Sequence, residues 1–476
     1  MKPAWVLAAL TVACALGTYA LVTGMRSGRA LPRWNVLLIS VDTLRADHLG
    51  CYGCGRDTSP AIDALAAEGT LFRSCVAAAP WTHPSHMSML TGQYPTVHGV
   101  LSLGNRARAG CVTLAELLRE HGYRTGAVIS GGGMRAEEGF GRGFETYDDY
   151  SVLKACLAGA PAAGEVLPEG SDLAACTVTV PTSEFTAEAA LKWLSEWGGR
   201  PFFLFLHYWD VHWDYCPPAP YDSLFDPGYE GPMKGRKADL DTWLFPGCSS
   251  KDLQHAVALY DGEIRWTDLH IAQVLDGLRR LGLYDSTVVI LTADHGDEFL
   301  EHGGRGHGHS LYEELLHVPL IVKLPRRLQP QAPAVSEPVS LVDIMPTVLD
   351  LLGIAQPEDP AGVSLLPALL GKSAPPRRPL FAEGVLGRNM CMVRLGPRKL
   401  MLDLDSGWRA SYDLASDAGE SAPQPAGSNW EDELYASVNT WLANKQTQAA
   451  RLGDNGSTAE ADQETRKMLR SLGYVQ

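Results

Sequence analysis

Short apolar runs alternate with helical patterns along most of the chain. Five runs have the uninterrupted hydrophobicity of strands buried on both faces, at residues 36–41, 126–130, 202–206, 288–291 and 318–324. Helical patterns with typical start and stop residues lie between them. Pro60 precedes the pattern at 61–68, Thr113 caps a pattern that ends at Gly122, and Gly353 follows the pattern at 341–352. This alternation predicts an α/β fold in which helices cover both faces of a mostly parallel sheet.

The pattern changes after residue 355. Residues 356–379 are rich in proline, four short runs with the spacing of an antiparallel meander come next, and a helical pattern covers 431–443. The four runs lie at 380–383, 392–395, 399–404 and 411–414. We therefore predict an N-terminal membrane anchor or signal segment with its linker at 1–33, a main α/β domain at 34–355, a linker at 356–379, and a C-terminal subdomain with antiparallel strands and a helical tail at 380–476.

Residues 4–25 form an uncharged, mainly apolar stretch of 22 residues. It is longer than the roughly 7–15 apolar residues of a signal-peptide core and approaches the roughly 20 that span a bilayer. The positive charges behind it, Arg26, Arg29 and Arg33, favour a cytoplasmic location for the α/β domain, but long domains cross membranes largely regardless of such charges. We expect an uncleaved anchor with the domain outside the cytoplasm, on the periplasmic or extracellular face; a cleaved secretion signal is the alternative.

The charge balance narrows the range of partners. The chain has 40 Lys and Arg against 55 Asp and Glu, a net charge of −15, and no basic block stands out. Nucleic-acid binding depends on clustered cations that displace counterions, so we expect no nucleic-acid partner. An anionic substrate stays compatible with this surface if a metal ion or a local dipole supplies positive charge inside a pocket.

Ten cysteines are present, and Cys14 lies in the apolar N-terminal stretch. Nine cysteines lie outside that stretch. Because nine is an odd number, at least one thiol is free or bonds another chain. Cys51 and Cys54 form a single C-x-x-C pattern, which fits a zinc or redox site, a loop disulfide or two unrelated cysteines.

Polar residues follow three of the predicted strands. The first strand is followed by Asp42, the strand near residue 205 by Asp210 and His212, and the strand near residue 290 by Asp294 and His295. Ligands of open α/β sheets bind at the carboxyl ends of the strands, so these side chains are candidates for one site. Carboxylate and imidazole ligands suit zinc or manganese.

Thr82 precedes a short helical pattern that contains Pro84. A threonine at this point fits a helix N-cap, and its hydroxyl lies near unpaired backbone N–H groups that favour anions. The other interpretation is that Thr82 only caps the helix.

Several segments together resemble motifs of the sulfatase family, within the alkaline phosphatase superfamily. The resemblance extends from about residue 35 to the end of the chain in the expected order, through residues 41–47, 82–92, 201–218, 294–296, 306–312, 341–353, 412–414 and 472–474. It implies a sulfatase-like α/β core, a smaller C-terminal antiparallel sheet, and metal-assisted attack on a sulfate or phosphate ester.

Four departures from the family pattern change the expected chemistry. Formylglycine sulfatases have a C/S-x-P-x-R motif, whereas residues 82–86 read Thr-His-Pro-Ser-His, and threonine cannot become formylglycine. A pair of acids is reduced to Asp42 and Thr43, an Asp-Asn pair is Asp294 and His295, and a Lys-x-His motif is replaced by Ser-Gly-Gly-Gly at 130–133. The chain resembles instead the phosphodiesterases and the phosphoglycerol or phosphoethanolamine transferases of the superfamily, which use a metal-bound threonine.

The resemblance implies a role for each motif residue. Asp42, Thr82, Asp294 and His295 hold a divalent metal, with zinc or manganese favoured and calcium or magnesium as alternatives. Thr82 attacks the ester and forms a phosphothreonine that water or an alcohol resolves. The catalytic histidines are His212 and His307, and candidates for a second metal or for substrate contact are Asp210, His212, His307 and His86.

Other residues near the motifs have structural interpretations. We expect Arg45 to pair with an acid near the site. Trp81, Trp209 and Trp213 fit core packing or stacking on a sugar ring. An arbitrary histidine is more often structural than functional, whereas His86, His302 and His309 fit either role.

Two further functions stay open: a sulfuric ester hydrolase that works without formylglycine, and an inactive sulfatase-like protein that binds a glycan or a lipid headgroup. The intact set of Asp42, Thr82, Asp294 and His295 argues against inactivity. The expected partner is an anionic ester, with glycans and lipid headgroups as candidates; the oligomeric state stays open.

Overall fold

The computed structural model describes residues 33–131, 133–149, 181–329, 331–425, 427 and 429–453. The apolar stretch at 4–25 lies outside these residues, so the predicted anchor is not described. Within the described ranges, no helix combines the length and apolar character needed to cross a membrane.

The strands follow the predicted apolar runs closely. They are β1 Asn35–Val41, β2 Thr70–Val76, β3 Arg124–Ile129, β4 Thr146–Asp148, β5 Phe202–Tyr208, β6 Thr287–Ala293, β7 Glu298–Phe299, β8 Arg305–Gly306, β9 His317–Lys323, β10 Ala334–Val335, β11 Val339–Ser340, β12 Leu380–Glu383, β13 Met390–Leu395, β14 Arg398–Asp403 and β15 Arg409–Asp413. All five strands expected in the main domain are present, whereas β2, β4 and the two-residue strands β7, β8, β10 and β11 were not expected.

The helices lie between these strands. They are α1 Pro60–Glu68, α2 Thr82–Thr91, α3 Pro95–His98, α4 Leu114–Glu120, α5 Ser183–Ser195, α6 Lys237–Trp243, α7 Ser250–Arg280, α8 Glu313–Leu316, α9 Ile344–Leu352, α10 Leu366–Leu369 and α11 Asn429–Arg451. Thr113 caps α4 as expected, because its hydroxyl accepts from the backbone N–H of Glu116 while the Glu116 carboxylate accepts in return.

The main sheet has the strand order β10-β2-β9-β6-β1-β5-β3-β4, with β11 also paired to β2. The central strand β1 is parallel to both neighbours, so that Leu38 lies beside Phe205 of β5 and Ile290 of β6. Strand β9 is antiparallel to β6 and β2. The predicted α/β fold with a mostly parallel sheet is confirmed. Every residue of β1, β5 and β6 is buried, which explains their uninterrupted apolar sequences.

The C-terminal strands β12 to β15 form a separate antiparallel sheet, as expected. Helix α11 packs on it, with the rings of Phe381 and Trp441 stacked 4.5 Å apart. The backbone N–H of Glu383 donates to Ala78 O at 3.1 Å, which connects this sheet to the segment ahead of α2. In the predicted linker at 356–379, Leu365 and Leu369 are buried in the core. The domain boundaries stay predictions.

Cys51 and Cys54 are free thiols. The loop disulfide considered for this C-x-x-C pattern is therefore not formed.

Candidate active site

Three side chains from two neighbouring strands meet at the carboxyl edge of the main sheet. Asp42 follows β1, and Asp294 and His295 follow β6, which lies directly beside β1. Their ligand atoms all lie within 4.8 Å of one another. All three side chains are fully buried. Parallel neighbouring strands end at the same edge, which is why residues more than 250 positions apart form one cluster.

The ligand atoms that this cluster offers suit a metal ion. Oδ1 of Asp42 and Oδ2 of Asp294 are buried and accept no hydrogen bond. Nδ1 of His295 donates to Gly296 O at 2.9 Å, which leaves the Nε2 lone pair 3.2 Å from Oδ2 of Asp294 and 3.7 Å from Oδ1 of Asp42. Buried polar atoms are rarely left without a partner. Two carboxylate oxygens and one imidazole nitrogen are the ligands of zinc and similar divalent ions.

The protonation equilibria of the cluster reflect its burial. Burial raises the pKa of Asp42 to about 7 and the pKa of Asp294 well above its usual range, where the nearby Asp42 charge adds to the effect. Burial also lowers the pKa of His295 well below its usual range. Two carboxylates without an adjacent cation are costly in a buried site, and a divalent ion would offset that cost.

Thr82 is the first residue of α2. Its Oγ1 lies 3.4 Å from Oδ2 of Asp42 and 3.4 Å from Nε2 of His295. The N-cap interpretation of Thr82 is wrong by one residue: Trp81, with extended backbone angles (φ −159°, ψ 166°), occupies the cap position. The Thr82 hydroxyl is directed at the acidic cluster instead of at the backbone N–H groups of its own helix.

His307 and His212 extend the cluster. The His307 ring lies 4.5 Å from the His295 ring and 4.9 Å from the His212 ring. Nδ1 of His212 donates to Trp213 O at 2.8 Å, and its buried Nε2 has no hydrogen-bond partner. Burial, with a contribution from His307, lowers the pKa of His212 well below its usual range. Gly306 (φ 69°) allows the Trp213 ring to approach its backbone, because a Cβ there would come within 2.6 Å of that ring.

His86 lies beneath the cluster with both ring nitrogens engaged. Nδ1 donates to Thr82 O at 2.9 Å, and Nε2 lies 2.9 Å from the Ser40 hydroxyl. Nδ1 is also 3.3 Å from Oδ2 of Asp294. His86 therefore links Thr82, at the start of α2, to Ser40 of β1 through its two ring nitrogens.

Asp210 is not brought to the metal cluster. Its two carboxylate oxygens accept from the backbone N–H groups of Thr182 at 2.5 Å and Ser183 at 2.7 Å, at the start of α5. These contacts cap the helix and occupy the oxygens that a second metal would need.

His207, which the sequence did not single out, contacts the cluster directly. It is a fully buried residue of β5, and its Nε2 lies 3.0 Å from Oδ2 of Asp42. Its only sequence signal is its position at the end of a predicted strand, next to other polar residues.

Arg45 is structural, as expected. Its guanidinium pairs with Asp47 at 2.8 Å and Glu301 at 2.6 Å and donates to Asp297 O at 3.0 Å. Trp81 is buried and donates from Nε1 to Gly384 O at 2.7 Å, which supports the packing interpretation for this residue.

A second acidic and histidine cluster is formed by Glu298, His302 and Glu314. Its atoms bond one another: Nδ1 of His302 lies 2.7 Å from Oε1 of Glu314, and the Glu298 carboxylate accepts from backbone N–H groups and from Nε2 of His309 at 2.6 Å. Unlike the first cluster, this one has its hydrogen bonds satisfied within the protein.

Comparison with known proteins identifies the family and the fold. The Sulfatase family profile matches residues 34–354. The steryl-sulfatase of Rattus norvegicus is 30% identical over 423 residues, covering 72% of each chain. The multifunctional alkaline phosphatase superfamily protein PehA of Trinickia caryophylli is 27% identical over 419 residues, covering 74% of this chain and 80% of that protein.

A solved structure shows the same fold. The phosphonate monoester hydrolase of Agrobacterium radiobacter superposes with a TM-score of 0.68 at 22% identity, covering 87% of this chain and 96% of that one. Sulfatases and their alkaline phosphatase-like relatives are metal-dependent, in keeping with the cluster of Asp42, Asp294 and His295. The chain belongs to the sulfatase family and is an ester hydrolase.

Proposed function

We propose that the chain cleaves a phosphoester, by hydrolysis or transfer, with Thr82 as the nucleophile beside a divalent metal. The observation that carries this proposal is the position of Thr82 Oγ1, which lies 3.4 Å from both Asp42 Oδ2 and His295 Nε2. The cluster beside it contains two carboxylate oxygens without hydrogen-bond partners. Asp42, Asp294, His295 and the Thr82 hydroxyl would hold the ion. Zinc or manganese is favoured because an imidazole is among the ligands, whereas calcium prefers oxygen alone.

When bound, the metal lowers the pKa of a coordinated hydroxyl and offsets charge on a phosphoryl oxygen. Thr82 Oγ1, having lost its proton to solvent, attacks phosphorus in line as the bond to the leaving oxygen breaks, giving a phosphothreonine and a leaving oxygen that takes up a proton to become an alcohol. Water or an acceptor alcohol then attacks the phosphothreonine and releases Thr82. His212 and His307, which lie beside His295, contact the non-bridging oxygens or move the proton of the leaving group.

The preference for phosphorus over sulfur follows from the nucleophile. Threonine cannot be converted to formylglycine, so the attacking group is the hydroxyl itself. The similarity to PehA, named as a multifunctional alkaline phosphatase superfamily protein, supports this preference. The similarity to a steryl-sulfatase favours the alternative, a sulfuric ester hydrolase that uses Thr82 directly.

The substrate is an anionic ester, with a glycan or a lipid headgroup as its carrier.

We place the domain outside the cytoplasm, held by residues 4–25. Protease added to cells with a permeable outer barrier should digest the domain and leave its N-terminal peptide with the membrane. Protection until the inner membrane is lysed would reverse this topology, and a mature chain that begins after Met25 would identify a cleaved signal.

A panel of 4-nitrophenyl esters tests the reaction class. The purified, metal-stripped chain is assayed with a phosphate diester, a phosphate monoester and a sulfate, after reloading with zinc, manganese or calcium. We expect zinc or manganese to restore turnover of a phosphate ester, and mass spectrometry of quenched enzyme to find phosphate on the peptide that contains Thr82. Turnover of the sulfate alone, without a Thr82 adduct, would contradict the proposal.

A further inference from the structure

A buried carboxylate outside the cluster of Asp42, Asp294 and His295 lies against one ring nitrogen of His307. Nδ1 of His307 lies 2.6 Å from Oδ1 of Asp297. The other oxygen of Asp297, Oδ2, accepts a hydrogen bond from the hydroxyl of Tyr215. All three side chains are buried, with Asp297 at 0% exposure, Tyr215 at 2% and His307 at 6%. Both oxygens of Asp297 are therefore used within the protein, and neither belongs to the metal cluster.

The surroundings fix this carboxylate from several elements. The main-chain oxygen of Asp297 accepts from Nη1 of Arg45 at 3.0 Å. The backbone N–H of Arg45 in turn donates to the Tyr260 hydroxyl of α7 at 2.9 Å. The Tyr215 ring packs 5.5 Å from the Tyr260 ring and 5.6 Å from Phe299 of β7. Asp297 and Tyr215 thus have little freedom to move away from His307.

A carboxylate bound to one imidazole nitrogen fixes the tautomer and the orientation of the ring. With Nδ1–H directed at Asp297, Nε2 is the nitrogen of His307 that can exchange a proton with substrate. The ring packs against His295, whose Nε2 is 3.4 Å from the nucleophilic oxygen of Thr82. The neighbouring His212 has its own Nδ1–H bound to a main-chain oxygen and lacks a carboxylate partner at that nitrogen.

We infer that Asp297 and Tyr215 are positioning residues that hold His307 as the proton donor to the leaving group. The step starts from His307 with a proton on both ring nitrogens: as the bond between the transferred group and the leaving oxygen breaks, Nε2 gives its proton to that oxygen, and Nδ1–H stays on Asp297. In the second step the same nitrogen takes a proton from the attacking water or alcohol, which restores the starting state without an external acid or base. This inference rests on the proposed function for the identity of the nucleophile.

The dependence of rate on the leaving group tests the inference. Asp297→Asn and Tyr215→Phe are assayed on aryl esters from 2,4-dinitrophenyl through 4-nitrophenyl to phenyl, using whichever of phosphate or sulfate the wild type turns over. A good leaving group departs without a proton, whereas phenol needs one. We expect Asp297→Asn to lose about 100-fold or more on the phenyl ester, where general acid catalysis contributes most, and less than about 10-fold on the dinitrophenyl ester. Tyr215→Phe should show a smaller loss with the same trend.

The matched control is Asp261→Asn. Oδ1 of Asp261 lies 2.6 Å from Nδ1 of His48, the same contact between a buried carboxylate and a partly buried imidazole, outside the proposed site. This variant should keep the leaving-group dependence of the wild type, whatever it loses in stability. An equal loss on all esters, or no loss, for Asp297→Asn and Tyr215→Phe would overturn the inference. The Thr82 adduct is read out separately, so a missing adduct with the expected leaving-group trend would reject the proposed nucleophile and retain the positioning role.

Discussion

Nε2 of His207 lies 3.0 Å from Oδ2 of Asp42 and donates a hydrogen bond to it. Asp42 directly follows β1, His207 is the last residue but one of the neighbouring parallel strand β5, and both side chains are fully buried. This contact leaves Oδ1 as the unpaired oxygen of Asp42, and that oxygen lies 3.7 Å from Nε2 of His295. His207 therefore orients a candidate metal ligand without belonging to the ligand set.

Replacing His207 should weaken metal binding. Loss of a hydrogen bond to a metal-binding side chain typically costs about 10- to 100-fold in metal affinity, so His207→Ala should raise the zinc dissociation constant by that factor. Titration of the metal-stripped protein with zinc measures this constant. The control His98→Ala removes another fully buried histidine, one that bonds Ser88 instead of the cluster. Equal zinc affinity in wild type and His207→Ala would contradict the role of Asp42 as a ligand oriented by His207.

Substitution of Thr82 separates chemistry from folding. Thr82→Ala should lose nearly all turnover, because it removes the nucleophilic oxygen, while the free energy of unfolding falls by only about 0.5–3 kcal/mol, as for most substitutions. Thr82→Ser keeps the oxygen and should retain partial activity. Steady-state kinetics, chemical denaturation and zinc titration measure the three properties. An alanine variant as active as the wild type would exclude Thr82 as the nucleophile.

The strands that carry the site were predictable because burial on both faces gives β1, β5 and β6 continuous apolar sequences. Strand β2 was missed because its run is interrupted by the exposed Arg73. Asp42, Asp294, His295 and Thr82 were recognised from motifs that are local in sequence.

The contacts that surround this set are not local and were therefore not predicted. His207 bonds a residue 165 positions away, and Tyr215 bonds one 82 positions away. Asp210 and His86 satisfy main-chain groups at the starts of helices, a function that their residue types alone do not distinguish from metal binding.

A buried ion pair between the C-terminal sheet and helix α8 should make the stability of the protein depend on pH. Lys399 of β14 lies 2.9 Å from Oε1 of Glu313 in α8 and 2.8 Å from Oε1 of the buried Glu420, and Arg394 lies 2.7 Å from the other oxygen of Glu313. Burial alone raises the pKa of Glu313, but Lys399 and Arg394 outweigh it and bring the pKa to about 2. Because the pKa of the folded state is below the ordinary value near 4.5, this pair stabilises the protein fully above about pH 4.5, and the stabilisation is lost as the pH falls toward 2.

Lys399→Met should therefore lower the free energy of unfolding by about 3–5 kcal/mol at pH 7, the usual cost of removing one partner of a buried pair, and by less at pH 3. Urea denaturation at both pH values gives the difference. Arg326→Met is the control, because Arg326 pairs with Asp285 on the surface, with side chains 78% and 62% exposed, and such pairs contribute less than about 1 kcal/mol. A Lys399→Met effect that is equal at pH 7 and pH 3 would contradict the assignment of the acid dependence to the carboxylates that Lys399 contacts, Glu313 and Glu420.

The choice of metal depends on His295. This residue stands where the resemblance to formylglycine sulfatases places an asparagine, and its Nε2 faces the unpaired oxygens of Asp42 and Asp294 at 3.7 Å and 3.2 Å. Imidazole is a ligand of zinc and manganese, whereas calcium takes oxygen ligands. His295→Asn substitutes an amide oxygen for the ring nitrogen and should weaken zinc binding by at least about 100-fold, a larger effect than that of an orienting contact, while calcium binding holds or improves. Competition between the two ions, followed by elemental analysis, measures this change. The control is His255→Asn. His255 belongs to α7 and pairs with Asp226, so its substitution should leave the metal preference as in the wild type. If His295→Asn binds zinc as tightly as the wild type, the imidazole is not a ligand, and the metal lies at another set of residues.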